Sequence, residues 1–325
     1  MIIWALIDPR PGTGNQALAV AEAWGKDFIK KPLQYNKLAD APNALLWLFQ
    51  ALFKVRCLNL DDQAALDGPG PDWIIASGRK AAFTALYLKK FRYPQARIVQ
   101  IMDPKWRQRE FDVLAVPSHD DCTYQGFNLL RTDGNPHRVT PANLAAAKTE
   151  FAEILAHLPK RRIALLLGGP VKDGGLDEDL AVDLLRATSK AAMAWQAGVM
   201  ISTSRRTPDA IVGKLPYIMA APNVVHHWRH GGKNPYLGYL AYADVIIVSA
   251  DSTAMISEAL ATGKPCFIFA PHGMVSGKQL RFIESLFRNN LADPFDGQIH
   301  FEQPANTLAN PANAIVDAVH NRFGA

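Results

Sequence analysis

Cysteine is scarce in this chain. Three residues in 325, Cys57, Cys122 and Cys266, stand far apart and form no CxxC pair. That spacing argues against a disulfide framework or a thiolate zinc site and suits a reduced cytoplasm. Long apolar runs are missing too, since none reaches the roughly 18 residues of a membrane span. The opening MIIWALIDPR is apolar, but its apolar core is short and no basic leader precedes it. It reads as a first buried strand, not a signal peptide. No zinc-finger or RNA-binding pattern occurs, and 35 Lys+Arg against 30 Asp+Glu leave only +5. A surplus of that size suits an anionic partner such as a phosphate or a lipid surface, and is too small to point to nucleic acid. No metal-ligand or cofactor motif is present, so neither a metal nor a cofactor is expected.

What is there is an ordinary globular composition, 49% hydrophobic and 20% charged, in a chain too long for one core. Short apolar runs alternate with helical patterns. Ile2–Ile7, Asp72–Ala76, Ala96–Ile101 and Val113–Val116 read as strands, with helices over Asn15–Trp24 and Lys80–Phe91. A helical pattern over Pro141–Leu158 follows, closed by Pro159 and a basic trio. The alternation then restarts, with strands at Ile163–Leu167, Val199–Ser202, Val245–Val248 and Cys266–Phe269. Helical patterns cover Asp177–Trp195, Asn234–Tyr242, Ser252–Thr262, Ser276–Asn290 and Asn310–Arg322. Continuous apolar strands between helices predict parallel sheets covered on both faces. The fold class is α/β, in two units that join near 158.

In such sheets ligands collect beyond the carboxyl ends of the strands. DPRPGTGNQA follows the first strand, and Gly12, Thr13, Gly14 and Asn15 open the next helix. The glycines permit close backbone approach, and the helix start could receive an anion. Without full GxGxxG or Walker spacing, a plain turn explains this stretch equally well. Gly78, Arg79 and Lys80 put two cations at a helix start, where the dipole disfavours them unless an acidic ligand is present. Asp103 and His119 each follow a strand and are candidate general bases. Gly168 and Gly169 end another strand, giving room for a phosphate or for a plain turn. ISTSRRTP then sets Ser204, Arg205 and Arg206 at a helix entrance, with Thr207 as the expected N-cap and Pro208 as the first helical residue. Two arginines there suit a diphosphate.

SADSTAMISEALATGKPCF carries an acid, Glu258, inside an apolar helix capped by Ser252. Glu258 shares a side with Ala254 and Met255, near the buried face. A carboxylate placed so needs hydrogen-bond donors, which two vicinal ribose hydroxyls would supply. A helix-edge acid with no task fits the periodicity equally well. In the first unit, APNALLWLFQALFKVRCLN concentrates apolar residues beside cations. Leu46, Trp47 and Phe49, with Lys54 and Arg56, are candidates for contact with an anionic membrane surface. A core helix of the first unit is the plainer alternative.

A strand, a Ser/Asp-rich turn, a helix with Glu and then Gly-Lys-Pro resembles the nucleotide-sugar site of GT-B glycosyltransferases. In the lipid-linked N-acetylglucosaminyltransferases of peptidoglycan synthesis the matching glutamate holds ribose. That resemblance implies that Glu258 is the ribose ligand and that Ser252 and Thr253 sit near the phosphates. DPRPGTGNQALAVAEA, QIMDP, STSRRTP and NPYLGYLAYADVIIVSADSTAMISEALATGKP together resemble bacterial members of the elongated-mitochondria (plant mitochondrial-fission factor) family, which is grouped with GT-B glycosyltransferases. The resemblance implies two Rossmann-like domains facing across a cleft, 1–158 on the acceptor side and 159–305 binding the nucleotide-sugar. Residues 306–325 would form a helix crossing back to the first domain. It implies transfer from a nucleotide-sugar to a hydroxyl of an envelope glycan or lipid without a metal, with Asp8, Asp103 or His119 as the base. The expected place is the cytoplasm, at the inner face of the cell membrane. Plant members act as adaptors, so a non-catalytic scaffold is one alternative, and an epimerase or hydrolase of sugar nucleotides is another. Where the peptidoglycan enzymes carry a histidine in the first glycine-rich loop, this chain has Asn15 and no histidine before His119.

Overall fold

The computed structural model describes residues 1–324 apart from 55, 173, 276 and 300–306. Contacts divide the chain into two units, Met1–Arg138 with Asn310–Ala325, and Val139–Ala309.

The first unit is a six-stranded parallel sheet. Its strands are β1 (Ile3–Ile7), β2 (Phe28–Pro32), β3 (Trp73–Ser77), β4 (Arg97–Ile101), β5 (Val113–Pro117) and β6 (Leu129–Thr132), in the order β2-β1-β3-β4-β5-β6. Alternate side chains serve two cores because successive residues of a strand point to opposite faces. Ile3 and Ala5 of β1 pack with α1 (Pro11–Ala23) and with the late helix over Pro311–Phe323. Trp4 and Leu6 face the other way, into a core with α2 (Asn43–Gln50) and α3 (Gly78–Tyr87). Leu46 and Trp47 of α2, expected to meet lipid, are buried in that core. Trp47 stacks edge-on against Phe83 and Trp106, with ring centroids at 5.5 and 5.3 Å. Phe49, Lys54 and Arg56 are exposed.

The second unit is a separate six-stranded parallel sheet. Its strands are β7 (Arg162–Leu167), β10 (Gly198–Thr203), β11 (Asn223–His226), β12 (Val245–Ser249), β13 (Cys266–Phe269) and β14 (Asp293–Pro294), in the order β11-β10-β7-β12-β13-β14. A small hairpin, β8 (Pro170–Val171) with β9 (Gly174–Gly175), follows β7. The helices are α4 (Pro141–Glu150), α5 (Ala152–Leu155), α6 (Glu178–Ala194), α7 (Asp209–Ile218), α8 (Tyr236–Tyr242), α9 (Thr253–Leu260) and α10 (Gly277–Arg288), with α11 (Pro311–Phe323) returning to the first unit.

The sequence places the join near 158, but the contacts place it after Arg138. The reason is that α4 packs on α8, and the expected single helix over 141–158 breaks at Phe151. The Phe151 ring lies so close to Gly238 of α8 that a β-carbon there would approach it to 2.7 Å. The expected boundary at 305/306 falls outside the described residues.

In each sheet the chain winds outward first one way and then the other. The direction reverses between β1 and β3 in the first unit, and between β7 and β12 in the second. Crevices form at the carboxyl ends of such strand pairs. The loops singled out in the sequence, 8–15 with 78–80 and 168–169 with 249–253, lie at these two switch points.

Candidate functional site

At the first switch point the structure reassigns Asp8. Its carboxylate is buried and gripped by Arg10, with Nη2 2.7 Å from Oδ2 and Nε 2.8 Å from Oδ1. Both carboxylate oxygens are thereby committed to one guanidinium fork. Asp8 thus anchors this turn through Arg10, and service as the expected base would require that pair to open. Tyr35 lies beside it, its hydroxyl pushed well above the ordinary tyrosine range by burial first and the charge of Asp8 second. Gly14 permits α1 to pass over the strand, since a β-carbon would meet the Asp8 carbonyl at 2.5 Å. Gly78, at φ +78°, starts α3 beside Thr13 and Arg10. Gly12 faces open space and Asn15 is half-buried. Arg79, expected to await an acidic ligand, is spent on the chain itself. Its guanidinium donates to the carbonyls of Ala41 at 2.6 Å and Ala39 at 2.9 Å, fixing the approach to α2.

Asp103 and His119 follow β4 and β5 and are half-buried. Asp103 Oδ1 accepts from the Lys105 amide at 2.8 Å and from Gln108 at 3.2 Å. Met102, Lys105 and Arg107 around it all take positive φ, between 50° and 67°. Three such non-glycine residues in one connection mark stored strain, which gathers at functional sites.

The second switch point is organised by a residue that sequence reasoning passed over. Asp251 is fully buried and fully satisfied. Its Oδ2 takes Arg206 Nη2 at 2.7 Å and the Gly169 amide at 3.0 Å, and its Oδ1 takes the Ser249 hydroxyl at 2.7 Å. Gly168 and Gly169 make room for this cluster. A β-carbon on Gly168 would fall 2.0 Å from Asp251 Oδ2, and one on Gly169 would fall 2.3 Å from the Arg206 carbonyl. Arg206, ion-paired with Asp251, also donates to the Gly169 carbonyl at 3.2 Å, so its guanidinium is already engaged by the chain. Arg205 is exposed and has no partner among the described residues. Ser204 donates to the Gly168 carbonyl at 3.0 Å. Thr207 does not cap α7. Its hydroxyl bonds the Gly168 carbonyl instead, and Pro208 takes the cap position.

Helix α9 starts as expected at Ser252, whose hydroxyl accepts from the Met255 amide at 3.4 Å; Thr253 is half-buried. Glu258, one and a half turns further, is half-buried. Tyr236 from α8 donates to its Oε2 at 2.6 Å, and Oε1 has no hydrogen-bond partner among the described residues. Burial raises the Glu258 pKa to about 7, and the Tyr236 bond pulls the other way. Tyr236 is the second functional residue missed. Its only sequence signal is its place in NPYLGYLAYAD at the start of a helix. Lys264 of the Gly-Lys-Pro turn caps α8, donating to the carbonyls of Leu240 at 2.7 Å and Ala241 at 2.8 Å.

The two-domain architecture has close counterparts. It matches the UDP-GlcNAc 2-epimerase of Methanocaldococcus jannaschii with a TM-score of 0.53 at 12% identity, covering 99% of this chain and 100% of the other. The Neisseria meningitidis UDP-GlcNAc 2-epimerase, solved with UDP-GlcNAc bound, matches with a TM-score of 0.52 at 12% identity and the same coverage. At such identity the likeness establishes the fold, a GT-B pair of Rossmann-like domains. In sequence, an uncharacterized protein of Rickettsia prowazekii is 31% identical over 92% of each chain. The mitochondrial fission protein ELM1 of Arabidopsis thaliana is 28% identical over 74% of this chain and 60% of its own length. The profile of the family described as mitochondrial fission ELM1 matches residues 11–323. The chain belongs to that family.

Proposed function

We propose that the second unit binds a nucleotide-activated sugar and that the protein is a glycosyltransferase acting on a hydroxyl of an envelope glycan or lipid. The observation that carries this reading is Glu258. One of its oxygens is held by Tyr236 and the other lacks a partner, on a helix that starts at the switch point. Burying a carboxylate is costly unless donors are supplied, and vicinal ribose hydroxyls would supply them. Arg205, exposed and unpaired among the described residues, is a cation at the same strand ends, and the amides opening α9 add partial positive charge. In transfer, the acceptor oxygen bonds to the anomeric carbon while the bond to the diphosphate breaks. Arg205 and the α9 amides take up the charge of the departing diphosphate. The acceptor proton passes to a general base, for which Asp103 and His119 remain the candidates.

The test is thermal shift with UDP-, GDP-, CMP- and ADP-sugars. At about 100 times the dissociation constant, a ligand adds about 2.7 kcal/mol of stability, which a melt resolves easily. Arg205→Ala is expected to weaken the response about tenfold with the ligand-free melt unchanged. No stabilisation by any sugar nucleotide overturns the reading in favour of an adaptor. Turnover of the donor without any acceptor identifies an epimerase or hydrolase instead.

A further inference from the structure

The outward face of α2 has the wrong chemistry for a surface meant to stay wet. A surface helix ordinarily turns its polar side to solvent. Here Leu45, Leu48, Phe49, Leu52 and Phe53 are 51%, 69%, 48%, 76% and 56% exposed. They follow the i, i+3, i+4, i+7 spacing of one helical face, continued into the turn beyond it. The opposite face, Leu46, Trp47 and Gln50, is buried and settles how the helix is seated.

The exposed residues are also held in place. Gln50 donates to the carbonyls of Phe53 and Arg56, both at 2.7 Å, and accepts from the Leu58 amide at 2.9 Å. This clasp locks the turn that presents Leu52 and Phe53. At the other end Asn43 donates to the Arg79 carbonyl at 3.0 Å. The patch is a fixed part of the fold, not a frayed segment.

Its border is cationic. Residues 41–60 contain no acid. Lys37, Lys54, Arg56 and Lys90 are exposed, and none forms an ion pair among the described residues. Lys90 stands 5.4 Å from the Trp47 ring, directly beside the helix. A contiguous apolar face marks an interaction site, and a rim of unneutralised cations selects a negatively charged partner. We infer that the outward face of α2 and its following turn dock on an anionic lipid bilayer, with Leu48, Leu52 and Phe53 entering the headgroup–acyl boundary and Lys54 and Arg56 meeting lipid phosphates. The helix lies in the interface plane, since no helix among the described residues is long and apolar enough to cross a membrane. This inference is independent of the donor site, and either reading can fail without the other.

Sedimentation of the full chain with vesicles tests it. Binding is expected to phosphatidylcholine vesicles containing phosphatidylglycerol, to be much weaker to phosphatidylcholine alone, and to fall with added salt. The triple variant Leu48→Ser, Leu52→Ser, Phe53→Ser and the pair Lys54→Glu, Arg56→Glu are each expected to lose about tenfold or more in partitioning. These side chains face outward, so the thermal melt should be unchanged and confirms that each variant is folded. Failure of the wild type to pellet with anionic vesicles overturns the inference, as does undiminished binding by a folded triple variant. If the wild type instead self-associates and the triple variant does not, with no vesicle binding by either, the face is a protein interface and the lipid assignment is wrong.

Discussion

Glu258 shows how one side chain ties stability to ligand binding. Its pKa rises from 4.5 to about 7 on folding because burial disfavours the charge. The folded chain therefore holds a proton that the unfolded chain has already lost. This stabilisation is complete below pH 4.5 and is lost as pH rises through about 7. The full gap would correspond to about 3 kcal/mol, but Glu258 is only half-buried and solvent screening leaves its contribution below that. Glu258→Gln, which mimics the protonated acid, should be more stable than the wild type at pH 8 and nearly equal to it at pH 4.5, as read from urea unfolding at both pH values. The same residue should make nucleotide binding proton-linked, because ribose hydroxyls favour the carboxylate. The variant would then lose donor affinity even as it gains stability. Identical unfolding curves for variant and wild type at pH 8 would show that the carboxylate is not desolvated. By contrast, the three cysteines are buried and free, and burial pushes Cys57 and Cys266 up to about 12, which leaves them unreactive.

At the scale of elements, the turn after β7 has the closest approach at any described glycine of the second unit. Gly168→Ala would bring a methyl group to within 2.0 Å of Asp251 Oδ2, forcing apart the strand ends and the Asp251–Arg206 pair. A loss of about 2 kcal/mol or more is expected in urea unfolding, with donor response falling alongside. This turn also shows what the sequence could reveal. Double glycine signals close approach, but not what approaches. Here it is the chain's own carboxylate, and nothing local in ADST sets Asp251 apart from its neighbours. The central strands were legible because a sheet covered on both faces demands unbroken apolar runs such as WIIAS and VIIVS. The edge strands β2 (FIKKP), β6 (LLRT), β11 (NVVH) and β14 (DP) were not, because an edge tolerates lysine, arginine and proline. The sequence of α2 shows apolar residues beside cations, but a helix this short does not fix its own phase, and Leu46 and Trp47, expected outward, turn inward. Only packing decides that Trp47 turns inward and Leu48 outward. Glu258 was legible because an acid in an apolar helix breaks the pattern, whereas Tyr236, its partner 22 residues away, breaks none.

At the scale of the whole molecule, the first unit is discontinuous in sequence. Ala312, Ile315, Val316 and Val319 of α11 are buried against α1 and the sheet, and Phe323 packs on Trp73 at 5.3 Å. Burying each of the larger apolar side chains is worth about 1.5–3 kcal/mol, against a typical domain stability of about 5–15 kcal/mol. A chain ending at 309 should therefore lose hydrogen-exchange protection in β1, β3 and α1 while the 139–309 sheet keeps its own. Unchanged protection of β1 without α11 would show that the helix is dispensable. The same arrangement sets an order of events on the ribosome. Residues 139–309 can complete their sheet as soon as they emerge, but the earlier-made strands must wait, with one face of their core uncovered, until the helix that seals them arrives. The earlier-made strands are thus the last to reach their native packing, and they are the ones most in need of a chaperone in the interval.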